Sequence, residues 1–418
     1  MLENSPPLPL TVDYRSGDNI TAEDEEGILL ALEQRHRVRH LRLIFPVQNL
    51  RKLVMAIDEG FPILEYLIVY PWVRDSTILM LPETLQAPHL RHLMLRGFAC
   101  PKRPRLHPNA PGLVTLYLII DHPSAYFRPN LLLQWISFMP QLENLEIAFA
   151  FPVSNRDVER QLTHMPITTH ITLPNLRVFG FRGVRAYLEA VVCRIITPRL
   201  ETLYIRLFKQ LTFSFPRLVQ FMNMTENLRF DDVVIEFQDN QIRMLMSYRE
   251  ADMYAVIVLT VECWQLDWQV SSAVQISNAL SQVFSAVEHL TLRHEVHSRS
   301  SEEHNDVDRI EWRKLLSSFS NVKTLRVGDR LVERVSRCLR LEDDGELPLD
   351  LLPELQKLTY DGSRDAGVAF TPFIDACRNA GRPVTLFYRK PSPSAPESPS
   401  KVPAITLASG EAGDGTET

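Results

Sequence analysis

The apolar positions of this chain recur in a fixed phrase. In Pro140-Gln141-Leu142-Glu143-Asn144-Leu145-Glu146-Ile147 a proline is followed by apolar side chains at the second, fifth and seventh positions after it. The phrase returns as Pro62-Leu64-Leu67-Val69, Pro88-Leu90-Leu93-Leu95, Pro111-Leu113-Leu116-Leu118, Pro174-Leu176-Phe179-Phe181, Pro198-Leu200-Leu203-Ile205 and Pro353-Leu355-Leu358-Tyr360. Three copies keep the spacing without the proline: Val38-Leu41-Leu43, Val287-Leu290-Leu292 and Val322-Leu325-Val327. The last two anchors of each copy alternate with other residues, the period of a strand buried on one face. One spacing used this often means one supersecondary unit, stacked because a single copy cannot bury its own apolar face.

The first anchors at 38, 64, 90, 113, 142, 176 and 200 stand 23 to 34 residues apart, and those at 287, 322 and 355 stand 33 or 35 apart. That length holds a short strand, a helix and two loops. The apolar stripes predict helices over Asn49–Ile57, Leu131–Met139, Val184–Ile196, Ser272–Val287 and Asp308–Phe319. Residues 8–14 read as a first strand. Thr21 is an N-cap for a helix that carries Ile28, Leu29 and Leu32 and ends near His36. The repeated proline lacks an N–H and locks φ, so it is expected to end each helix at the first position of the strand.

Between Met222 and Gln282 the phrase loosens. Val233–Phe237 and Tyr254–Val261 read as strands, and no proline falls between Pro216 and Pro348. These are expected to be degenerate repeats, with Trp264 and Trp268 packed beneath one of them. The expected fold is thus an α/β solenoid of irregular repeats over residues 1–390, a horseshoe with a parallel sheet on its concave side and helices on its convex side. Residues 391–418 turn to Pro, Ser, Gly, Glu and Thr, the composition of a disordered tail.

Composition narrows the function classes. The 418 residues are 45% hydrophobic and 23% charged, which are globular values. A net charge of -6 gives no support to general nucleic-acid binding. Cys100, Cys193, Cys263, Cys338 and Cys377 are scattered and odd in number, so reduced thiols in a cytoplasmic or nuclear protein are expected. Neither a signal peptide nor a membrane-spanning apolar run is read from the sequence.

The L-x-x-L-x-L phrase within strand–helix units resembles the leucine-rich repeat, and its P-x-L-x-x-L-x-L form at irregular spacing is similar to that region of fungal F-box proteins. The resemblance implies a substrate receptor of a Skp–cullin–F-box ubiquitin ligase, in which an F-box grips the adaptor and the repeats hold the target. An F-box opens with a phrase like L-P-x-E-L-L ahead of the repeats, and none is found there. Leu347–Leu352 matches that phrase but runs straight into a repeat, as does Leu81–Leu85. A Skp-type adaptor is therefore expected only if an F-box lies outside this chain, and the alternative is a scaffold with no ubiquitin role.

No catalytic constellation emerges, so an enzyme is not expected. His294-Glu295-Val296-His297 is one residue short of H-E-x-x-H. His294, His297 and His304 with Glu302, Glu303 and Asp306 read as a charged loop, not a metal site, and no cofactor is expected. The residues between the anchors face away from the core and form a ladder. Its candidate protein-binding members are Arg42, Tyr66, Ile68, Tyr70, His92, Met94, Arg96, Tyr117, Tyr204 and Arg206. Tyr, Arg and Met are enriched at interface hot spots. A protein partner with an acidic or mixed surface is expected there. At Asn144 and Glu146 the ladder turns polar and acidic.

Overall fold

Each copy of the phrase opens with a turn. The amide N–H of the first anchor donates to the carbonyl three residues back: Leu64 to Phe61, Leu90 to Ala87, Leu113 to Ala110, Leu142 to Met139, Leu176 to Leu173, Leu200 to Thr197 and Leu355 to Leu352, all at 3.1–3.3 Å. The proline is the second residue of this turn, where its fixed φ is already the required one. It therefore precedes the strand by four residues, as Pro140 precedes Asn144, and does not occupy the first strand position. The copies without proline make the same bond, at Val38, Val287 and Val322. The residue before the proline is a further buried position, Phe61, Ala87, Met139 and Leu173 among them.

In this computed structural model, residues 8–16, 20–57, 60–72, 78–80, 85–99, 110–151, 170–208, 213–248, 256–295, 309–340 and 351–390 are described. They contain a 15-stranded sheet. Its strands are β1 Leu10–Arg15, β2 Val38–Phe45, β3 Tyr66–Pro71, β4 His92–Arg96, β5 Thr115–Ile120, β6 Asn144–Phe149, β7 Val178–Gly183 and β8 Thr202–Leu207. There follow β9 Asp232–Gln238, β10 Gln241–Ser247, β11 Ile257–Glu262, β12 His289–Glu295, β13 Thr324–Val327, β14 Lys357–Asp361 and β15 Thr385–Arg389. The second anchor of every copy lies in one row across the sheet. It begins Val12, Leu41, Leu67, Leu93, Leu116 and Leu145. It continues through Phe179, Leu203, Ile257, Met246, Val233 and Leu290 to Leu325, Leu358 and Leu386. Anchors and helix side chains form one apolar core reaching from Ile28 to Val384. The helices thus cover one face, and the other face is open.

Among the described residues the α-helices are α1 Ala22–Glu33, α2 Val47–Met55, α3 Pro129–Ile136, α4 Arg185–Val192, α5 Pro216–Met224, α6 Leu266–Ala279, α7 Ser281–Phe284, α8 Arg309–Ser317, α9 Val332–Leu339 and α10 Thr371–Asn379. Thr21 caps α1 through its hydroxyl, as its sequence indicates. The stripe over 184–196 is helical only to Val192, because Ile195–Ile196 pairs with Ile171–Thr172. The stripe over 272–287 begins at Leu266 and breaks at Leu280. Trp264 and Trp268, expected to pack, are 75% and 48% exposed. Trp264 precedes α6, and Trp268 lies on the side of α6 away from Val270, Ala273 and Val274, which the core takes.

The stretch with the loosened phrase departs most from expectation. β8 pairs with β11, then come β10 and β9, and only then β12, so three strands stand in reverse spatial order. β10 is antiparallel to both neighbours, while the other pairings of the sheet are parallel. Only Asp239 and Asn240 join β9 to β10, and two residues allow a hairpin but no parallel crossover. Neither β10 nor β15 is anticipated from the sequence. Between α4 and α5, buried Glu189 accepts the N–H groups of Arg217 and Leu218 at 3.0 and 2.9 Å, satisfying the first turn of α5.

The tail from 391, residues 341–350 and the charged segment 296–308 fall outside the described residues, so the expectations placed on them are not addressed. Among the described residues no group of His, Cys, Asp and Glu could hold a metal, and no helix is long and apolar enough to cross a membrane.

Candidate open-face interface

The open face is built by the residues that alternate with the buried anchors, and parallel pairing aligns them into rows. One row runs Asp13, Arg42, Ile68, Met94, Tyr117, Glu146, Gly180, Tyr204. A second, nearer the strand starts, runs His40, Tyr66, His92, Thr115. The ten candidate residues all fall on this face, eight of them on the adjoining strands β2–β5 and two, Tyr204 and Arg206, on β8, with Glu146 and Gly180 of β6 and β7 between the two groups. Most are half-buried by their neighbours along the rows, and Arg206 is exposed.

Rings stack across the strands of the second row. Tyr66 lies against His92 with centroids 4.1 Å apart and planes 10° apart, and meets His40 edge-on at 4.4 Å. His92 Nδ1 is 3.1 Å from Thr115 Oγ1. Burial holds the His92 imidazole below its ordinary pKa of 6.5, with the Arg91 charge adding to the effect. Thr115, beside His92 in this row, and Ile119, which stands between Arg96 and Ala148 in the register, are buried.

The basic members of the strip are already paired. Arg96 Nε is 2.6 Å from Asp121 Oδ2, and Arg42 Nε is 4.0 Å from Asp13 Oδ1. Arg182 and Arg206 share Glu262 Oε1, each at 3.0 Å. Farther along, Arg243 and Arg293 meet Glu236, and Arg326 meets Asp361. The face that looks basic in sequence is thus largely neutralised in place. Its carboxylates escape the repeat phrase because Asp121 and Glu262 follow the last anchor. An acidic residue at the end of a strand or just past it is the signal that would have found them.

Glu146 differs. Its side chain lies over Gly180, so that a Cβ built on Gly180 would sit 3.0 Å from Glu146 Cγ. Burial raises its carboxyl above the ordinary value of 4.5, and no cation among the described residues offsets the rise. Beside it, burial first and then the Glu146 charge push the Tyr117 phenol up to about 12. Burial also raises Tyr204, with Glu146 adding to the rise and Arg243 opposing it.

No protein-family model matches the sequence, and no curated protein matches it. Among solved structures the chain is similar to the leucine-rich repeat-containing protein LegL7 from Legionella pneumophila. The identity is 11%, the match covers 72% of this chain and 84% of that one, and the TM-score is 0.29. The repeat character of the present fold rests on its own register, one anchor row through fifteen strands.

Proposed function

We propose that this chain is a protein-interaction module and that the open face of β2–β8 is its docking surface. One observation carries the reading. Tyr66, Ile68, Tyr70, Met94 and Tyr117 form a continuous half-exposed aromatic and apolar strip whose neighbouring arginines are neutralised by their own carboxylates. Such a strip can be desolvated by a partner without stranding charges, and stranded charge is the main cost of burying a polar surface.

A photo-crosslinking residue placed at Met94 tests this, with one at Met55, 65% exposed on the helical side, as control. A defined protein is expected to crosslink from position 94 and not from 55. Equal labelling from both positions, or labelling from 55 alone, would overturn the proposal.

The finer role supported by the sequence resemblance is target recognition for a ubiquitin ligase of F-box type. Copurification of a Skp-type adaptor with the natural protein is its test. A docked target without adaptor would leave a scaffold with no ubiquitin role.

A further inference from the structure

Glu146 is the one open-face carboxylate between β2 and β8 for which the described residues provide no cation. The nearest arginine along its strands, Arg182 on β7, is two residues beyond Gly180 and committed to Glu262, which Arg206 also engages. Gly180, opposite Glu146 in the register, contributes no side chain. Strands in a sheet lie ~4.8 Å apart, so the backbones that carry Tyr117 and Tyr204, three strands apart, are about 14 Å from one another, and the two phenols reach toward each other across that span, near enough for Tyr204 to act on Tyr117. Only the Glu146 side chain fills the interval between them. The result is a notch with a carboxylate on its floor and a phenol at each end.

We infer that this notch receives an arginine side chain from a protein partner docked on the open face, an inference that rests on the docking role proposed above. A guanidinium matches the site in two ways. Its planar fork bonds both oxygens of a carboxylate, and its faces lie against aromatic rings. It is also more weakly hydrated than an ammonium and loses less on entering a half-buried site. A phenol carries no charge at neutral pH, so among the described residues the Glu146 carboxylate is the only ionic group on the floor of the notch, with Arg243 acting on Tyr204 from its far side. The partner is therefore basic at this point, the opposite of the acidic surface that the arginines in the sequence suggest. Those arginines are spent on the chain's own carboxylates.

The test uses the full chain labelled with 3-fluorotyrosine, with the Tyr117 and Tyr204 fluorine signals assigned through the Tyr117→Phe and Tyr204→Phe variants. The probe is the capped tripeptide Gly-Arg-Gly, and its citrulline counterpart, of the same shape without charge, is the control. The arginine peptide is expected to shift both signals saturably and the citrulline peptide neither. Glu146→Gln is expected to weaken the response at least tenfold. Gly180→Ala, which keeps the carboxylate but crowds it, is expected to weaken it as well, and it carries the test should Glu146→Gln lose its circular dichroism signature. Equal shifts from both peptides, or an unchanged response in a folded variant, would overturn the inference. If the arginine peptide fails while position 94 still captures its partner, the notch alone is wrong. If both fail, the docking face is wrong too.

Discussion

Arg96 donates its Nε–H to Asp121 at 2.6 Å, joining the end of β4 to the residue just past β5, and the Asp121 side chain is only 4% exposed. The pair shows how the open face handles charge: an arginine on one strand is neutralised by a carboxylate from another, in most cases a repeat or more away in sequence.

Removing one partner of a buried pair strands the other. Asp121→Leu and Arg96→Met are each expected to cost about 3 kcal/mol, while the double substitution costs about 1 kcal/mol or less. Urea midpoints for the four proteins of the cycle check this. Additive losses would show that the two side chains do not act on each other.

The turn role of the proline makes a quantitative distinction. A proline at the second residue of a turn acts mainly by restricting the unfolded chain, so Pro140→Ala is expected to cost about 0.4–1 kcal/mol. Leu142, the next anchor, is fully buried, and Leu142→Ala is expected to cost about 2–5 kcal/mol. Denaturation of the two variants side by side checks the order.

Glu146 makes stability depend on pH. With its carboxyl raised above 4.5, the folded state binds that proton more tightly than the unfolded chain does. Stability therefore falls as pH rises from 4.5 through the raised folded value. Glu146→Gln removes this contribution, so the variant is expected to melt above the parent at pH 7 and level with it near pH 4. Parallel melting curves with no change in their separation would contradict the assignment.

Glu189 joins α4 to α5 through two backbone N–H groups. Glu189→Ala leaves both donors buried without an acceptor and is expected to cost about 1–2 kcal/mol. Glu189→Gln keeps an acceptor oxygen and is expected to lose less. Faster hydrogen exchange of the Arg217 and Leu218 amides in the alanine variant would locate the damage.

Much of this architecture is legible in the order of residues. The anchors at Leu142, Leu145 and Ile147 and their counterparts are core in every copy, because alternation along a strand is a local property. The cap at Thr21 is local for the same reason. The site was half legible: alternation places Tyr66, Met94 and Tyr117 on one face, but not what stands beside them.

Three things were settled only by tertiary structure. The reversed order of β9, β10 and β11 depends on which sheet edge is free when the hairpin forms, which no spacing within the hairpin records. The neutralised arginines depend on pairs such as Arg182 and Glu262, 80 residues apart in sequence. The notch at Glu146 needs Gly180 and Tyr204 to arrive beside it from other repeats. The sequence by itself determined what each unit buries, since burial follows from periodicity within one unit. The stacking of one unit on the next decided which charges meet, because parallel pairing aligns side chains that the chain keeps a whole repeat or more apart.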